Sequence, residues 1–289
     1  MLITFGLLAL AIGAIWMPPV RVARHRLAPA LVLGVAATGA GVWHGYLDWR
    51  AVAAIGVFAL ATYGWSASRK PIARALCAVP ASVLALALAL HALPGFDNPT
   101  LIDWTQLSDG ARPYRLVLKF DYAVVGLVLG ALVSRRAQNA GEWAQCIKVA
   151  AVAVPLGLLV VLPMGIASEY FAWAPKLTVV VLLHLAVNLP FTYVAEETFF
   201  RGAVQEPLHR AVANRHALRW LPVVVATALF GITHLGRGWQ LIVLAAGAGA
   251  ALAFAYERTR RVEAPILTHL GINTVHVLLF TFPALSASP

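Results

Sequence analysis

Residues 191–202 read FTYVAEETFFRG and set two adjacent carboxylates, Glu196 and Glu197, and then Arg201 behind a long apolar run. Two later apolar stretches carry imidazoles at helical spacing. In LFGITHLG (229–236) Phe230 and His234 stand four residues apart, and in LTHLGINTVH (267–276) His269 and Asn273 do the same. Residues at that spacing share one face of a helix. A carboxylate and an imidazole that share one water can remove its proton and make a nucleophile, and desolvation makes a glutamate a stronger base near neutral pH. A second imidazole and an amide aimed at the attacked carbonyl donate hydrogen bonds to the oxyanion that develops there. Those groups are the minimum set for hydrolysing a peptide bond without a covalent intermediate. The sequence has no HExxH zinc signature, no GxSxG elbow and no cysteine set by a histidine at helical spacing.

The elements that must position these groups are helices in a bilayer. The chain has 289 residues, of which 61% are hydrophobic and 12% charged, with a mean hydropathy of +0.79. A soluble chain of this length could not cover its surface with so few charges. The expected fold is all-α, a polytopic integral membrane helical bundle of about 8–10 transmembrane helices. Spans are expected near 2–17, 28–46, 51–67, 75–93, 117–134, 149–167, 177–200, 220–236, 239–256 and 265–283. The first run reads as a span and not as a signal peptide, because no basic region precedes it. Cys77 and Cys146 suggest neither a disulfide framework nor a metal site.

The net charge of +10 reads as loop charge that orients the chain, and no nucleic-acid partner is expected. Alternate breaks, containing Arg21/Arg24/Arg26, Arg69/Lys70/Arg74, Arg135/Arg136/Lys148, Arg201/Arg210/Arg215/Arg219 and Arg258/Arg260/Arg261, hold sixteen of the 22 basic residues. That bias puts these breaks in the cytoplasm and both termini outside. Trp16, Trp49, Trp65, Trp220 and Trp239 fall near span ends, as interfacial anchors do. Residues 95–115 read as a connecting loop. In LAAGAGAALAF (244–254) Ala245 and Gly249 offer close helix packing.

An ionisable group at mid-bilayer costs about 2.5–3.5 kcal/mol on insertion scales. Two adjacent carboxylates are therefore expected to face protein or a water-filled cavity. Glu197 and Arg201 are placed for a helical ion pair. Glu196, turned about 100° from Glu197, must meet another neighbour. HLAVN (184–188) repeats the His-xxx-Asn spacing on the same helix before Pro190, and reads as structural support where a proline frees backbone carbonyls. His276, His44 and His91 read as packing or interfacial residues, and His25, His209 and His216 as solvated.

Taken together, EETFFR (196–201), FGITH (230–234) and HLGIN (269–273) resemble the EExxxR, FxxxH and HxxxN motifs of the CPBP family. That family holds the CAAX prenyl endopeptidases, the Ras-converting type among them, and bacteriocin-processing and abortive-infection proteins of bacteria. The resemblance covers roughly residues 175–283, and it implies a glutamate-type intramembrane endopeptidase with a cavity reached from the cytosolic side. By that resemblance Glu196 activates water together with His234, and His269 and Asn273 form the oxyanion hole. Glu197, Arg201 and Phe230 support the site. The implied domains are N-terminal transmembrane helices at 1–148 and a protease core at 149–289. The implied partners are the lipid bilayer and a membrane-associated protein or peptide substrate, with no cofactor. The expected location is multi-pass in a bacterial inner (plasma) membrane.

Two rival readings stand beside this one. Glu196, His234 and His269 could ligate zinc, and the same polar groups could serve a transporter or a membrane interaction protein. Depth along the helices poses a further question. At about 1.5 Å per residue, His234 lies about 20 Å from the start of its span at Trp220 and His269 about 8 Å from Ala264. Either the 220–236 helix starts outside the bilayer or tilts, or the glutamate helix runs on through AVQEPLHR (203–210).

Overall fold

A computed structural model describes residues 1–22 and 25–286. Arg24, counted above among the cytoplasmic charges, lies outside them, and so do the side chains of Arg21, His25 and Arg26. Ten apolar helices stand in the expected order among the described residues. They are α1 (Leu2–Gly13), α2 (Pro29–Trp43), α3 (Trp49–Ala67), α4 (Pro71–Ala89), α5 (Phe120–Leu132) and α6 (Ala140–Ala167), then α7 (Val179–Val212), α8 (Leu221–Ile232), α9 (Trp239–Thr259) and α10 (Glu263–Leu279). Four of them, α4, α6, α7 and α9, are long and apolar enough to cross a membrane. The spans expected at 2–17, 28–46, 117–134 and 220–236 are shorter as helices, at 12, 15, 13 and 12 residues, against the ~20 that a crossing helix needs.

Local chemistry explains several helix starts. Asp48 accepts from the backbone of Arg50 and Ala51 to open α3, Asn139 from Glu142 to open α6, and Thr178 from Val181 to open α7. Proline supplies the first turn of α2, α4 and α8, where its missing N–H leaves no helical bond unmade. Two short strand pairs interrupt the helices. β1 (Val20–Val22) pairs antiparallel with β2 (His25–Leu27), and β3 (Thr100–Thr105) pairs with β4 (Tyr114–Val117) inside the segment expected to be a plain loop.

The chain forms two compact units whose segments interleave. The first takes Met1–Thr100, Val117–Arg136 and Pro190–Ala203, and the second takes Leu101–Leu116, Ala137–Leu189 and Val204–Pro289. In the first unit α1 packs on α2, α3 on α4, and α5 on the part of α7 around Val194–Glu197. Its core includes Phe58, Trp65, Ala81, Leu88 and Leu129. Trp65 is only 6% exposed and belongs to that core, not to an interfacial belt. Trp49, Trp220 and Trp239 do stand outside, at the starts of α3, α8 and α9. In the second unit α9 packs on α6, α8 and α10, and α10 packs on α6. There the 170–174 segment runs beside 279–285, joined by backbone bonds such as Thr281 N to Ala172 O at 2.8 Å.

Polarity is reversed relative to a soluble protein. Large apolar side chains such as Leu2, Val35, Leu60, Ile72 and Leu159 point outward, as lipid-facing positions require. Asp121, Glu197, Arg201, Glu206 and Glu263 are buried. Glu206 accepts from Arg210 Nε at 2.9 Å and from the Tyr256 hydroxyl at 2.9 Å, and also pairs with Arg260.

Helix α7 answers one part of the depth question. It continues through AVQEPLHR as far as Val212. The run is not uniformly α-helical. Wider, π-type turns span Leu189–Tyr193 and Thr198–Gln205, on either side of the α-helical turn Val194–Glu197. Pro190 lies in the first of them, where it has no N–H to return to the carbonyl one turn back. Such widened turns gather at functional sites because they re-aim the side chains they flank.

Candidate active site

In the first unit the two adjacent carboxylates part company. Glu197 and Arg201 are both fully buried, and Arg201 Nε donates to Glu197 Oε2 at 3.0 Å. Glu196 is half-buried and takes a different hydrogen-bond partner, although one carboxylate oxygen of each glutamate lies within 4.8 Å of the other. The hydroxyl of Tyr122, on α5, donates to Glu196 Oε1 at 2.8 Å. Glu197 is therefore hydrogen-bonded to a guanidinium and Glu196 to a neutral phenol, while the Arg201 charge acts on both carboxylates.

In the second unit Phe230, His234, His269 and Asn273 come together. Phe230 is buried near the end of α8, and His234 lies just past that end, at the entry to a tight turn over Leu235–Arg237. His234 Nδ1 donates to the carbonyl of Phe230 at 2.8 Å. A carbonyl only accepts, so the proton of a neutral His234 sits on Nδ1 and the lone pair on Nε2, the form that can take a proton or bind a metal. The Phe230 ring lies 5.3 Å from the His234 ring and 5.8 Å from that of His269, edge-on to the latter. Gly249 on α9 makes room for it, since a Cβ there would stand 3.0 Å from Phe230 Cδ1. His269 is buried on α10, and Asn273, one turn on, gives one amide proton to the His269 carbonyl at 3.3 Å.

These side chains line one cavity of about 120 Å3 within the second unit. Its polar wall is His234, His269, Asn273 and His276, and its apolar wall includes Phe171, Phe230 and Ala248. His276 was expected to be a packing or interfacial residue. Its ring lies tilted against Phe171, with centroids 4.8 Å apart, and its buried Nε2 has no hydrogen-bond partner among the described residues. The signal was present in the sequence: His276 follows His269 by seven residues, two helical turns on the same face.

Other histidines hold structure. His184 and Asn188 bond to each other, and His184 Nδ1 lies 2.7 Å from the Tyr114 hydroxyl. Burial pushes the Tyr114 phenol well above its usual range. Lys176, in the segment before α7, bonds to the carbonyls of Ala174 and Phe280, and burial pulls its ammonium below the usual lysine value. His91, expected to be packing or interfacial, donates to buried Asp121 at 2.6 Å.

Residues 178–275 match the family described as Rce1-like, type II CAAX prenyl endopeptidase. Through this segment the chain is similar to the CAAX proteases. The matched segment is about a third of the chain. It takes in every residue of the three motifs, and it ends one residue before His276. No curated protein and no solved structure gives a significant match. The four long apolar helices make the chain an integral membrane protein.

Proposed function

We propose that the chain is a glutamate-type intramembrane endopeptidase in which Glu196 is the general base. The observation that carries this reading is the division between the adjacent carboxylates. Glu197 cannot take a proton without giving up a buried ion pair with Arg201. Glu196, bonded to a neutral phenol, can accept one and release it again. Within the matched segment these positions fill the EExxxR motif.

The reaction runs in two steps. Glu196 takes a proton from water, assisted by the Nε2 lone pair of His234, while the water oxygen bonds to the scissile carbonyl carbon. His269 and Asn273 donate hydrogen bonds to the oxygen that becomes negative. The carbon–nitrogen bond then breaks as Glu196 returns the proton to the departing amine, leaving a new carboxylate and a new amine. The cavity lined by Phe171, Phe230 and Ala248 receives an apolar side chain next to the scissile bond. No cofactor takes part in this scheme.

We assign the protease core to residues 149–289 and the N-terminal transmembrane helices to 1–148, with Pro190–Ala203 of the core packed in one unit with those helices. The chain sits multi-pass in a bacterial plasma membrane with its basic loops cytoplasmic. Cleavage of a panel of membrane-anchored peptides in detergent tests the mechanism. The expected result is turnover by the parent, loss of at least about 100-fold in Glu196→Gln, and no response to a strong chelator. Turnover lost with chelator and restored by zinc would assign the site to a metal. Turnover retained in Glu196→Gln would exclude this glutamate as the base.

A further inference from the structure

We propose that Tyr122 is a positioning residue for the reaction, holding Glu196 in the orientation from which it takes the water proton. This rests on Glu196 being the general base, and it gives the helices before the matched segment a part in the chemistry. The hydroxyl of Tyr122 donates to Glu196 Oε1 at 2.8 Å. A carboxylate on a helix keeps several torsions, and a base that swings away from its water loses most of its advantage. A phenol bonded to one oxygen fixes the plane of the carboxylate and presents the second oxygen in one direction.

The phenol is itself held from two sides. At the start of α5, buried Asp121 accepts from His91 Nδ1 at 2.6 Å, from Asn98 Nδ2 at 3.0 Å and from the Tyr122 backbone at 2.9 Å. Asn98 Oδ1 also accepts from the Phe120 backbone at 2.8 Å, which caps the helix from the preceding loop. His91 has φ +54°, a left-handed conformation uncommon outside glycine, as the chain turns to bring its ring to Asp121. One turn along α5, Gly126 lets the two backbones touch: a Cβ there would lie 2.9 Å from the nitrogen of Ala195, the residue before Glu196. Clamped helix start and close backbone approach together set the distance between phenol and carboxylate.

Two cations stand near the pair. Lys119 Nζ lies 5.7 Å from the centre of the Tyr122 ring, and Arg201, hydrogen-bonded to Glu197, also acts on the Glu196 charge. The phenol adds a directional bond, which a charge acting at a distance does not supply.

Two readouts on the full-length protein test the proposal, with Tyr63→Phe, a change at an exposed tyrosine of α3, as control. The first is infrared difference spectroscopy, with the Glu196 carboxylate band assigned by subtraction of Glu196→Gln. In Tyr122→Phe that band moves, and in Tyr63→Phe it stays. The second is turnover of a membrane-anchored peptide cleaved by the parent. Tyr122→Phe is expected to lose kcat on the order of tenfold with KM nearly unchanged, with melting close to the parent. Replacing Tyr122 by 3-fluorotyrosine keeps the donor and is expected to retain turnover. An unmoved band, or a moved band with parental kcat, overturns the positioning role. Turnover surviving in Glu196→Gln overturns the general-base reading instead, so the two failures are distinct.

Discussion

Glu197 and Arg201 stand one helical turn apart with neither side chain exposed, joined by a 3.0 Å hydrogen bond. A buried pair adds little stability over an apolar replacement of both partners, because desolvating two charges offsets their attraction. Breaking one side is different, since it strands the other charge. Glu197→Gln is expected to destabilise the protein by about 3–5 kcal/mol, read as a fall in melting temperature in detergent. The double change Glu197→Leu with Arg201→Met should recover most of that loss. A Glu197→Gln protein as stable as the parent would mean that Glu196, whose charge also acts on Arg201, suffices as its counter-charge.

The oxyanion role given to Asn273 predicts a kinetic split. One amide proton of Asn273 goes to the His269 carbonyl at 3.3 Å, and the amide carries a second. Asn273→Ala is expected to lower kcat by about 10²–10³ with little change in KM, as for other lost oxyanion donors. Asn273→Asp keeps the size but removes both donors, and should lose at least as much. Equal rises in KM for both variants would move Asn273 from stabilising the transition state to binding the ground state.

How much of this was legible beforehand divides along physical lines. Helix order was, because apolar runs broken by charge repeat along the whole chain. The ion pair was also legible, since i,i+4 spacing is a local fact and helix geometry does the rest. So was the grouping of Phe230 with His234 and of His269 with Asn273. Tyr122 was not, because the bond to Glu196 joins residues 74 apart and nothing local to KFDY foretells it. His276 was passed over for a different reason: an imidazole among apolar neighbours usually packs, and only the folded chain shows the cavity that its ring lines. Trp65 misled because tryptophan at a span end serves equally as anchor or core. The widened turns around Val194–Glu197 have one visible cause, Pro190. The second widened stretch has no comparable mark in the sequence.

Tyr114 gives a prediction in pH. Its hydroxyl lies 2.7 Å from His184 Nδ1, and burial raises its pKa above that of a phenol in water. The folded protein therefore holds this proton more tightly than the unfolded chain does. The contribution is intact below the unfolded value of about 10 and is lost as pH climbs beyond it, because only the unfolded chain then ionises. Melting temperature should fall more steeply above pH ~10 in the parent than in Tyr114→Phe. At neutral pH the variant should be weaker by about 1 kcal/mol for the missing hydrogen bond. Parallel melting curves across that range would show that Tyr114 is not the group responsible.

The cavity of the second unit offers the test of substrate choice. It offers about 120 Å3 between α6, α8, α9, α10 and the Tyr170–Phe171 segment, with Ala248 on the α9 wall. If an apolar side chain of the substrate fills it, a larger residue at 248 competes for the same space. Ala248→Leu is expected to raise KM by about 10-fold or more for peptides with leucine or phenylalanine beside the scissile bond, in the range that one or two methylenes command in an apolar pocket. Peptides with glycine or alanine there should be cleaved as before. Because the new side chain enters existing space, the variant should melt no lower than the parent, which separates lost binding from lost folding. A uniform loss across large and small side chains would place the substrate elsewhere and leave the cavity to packing alone.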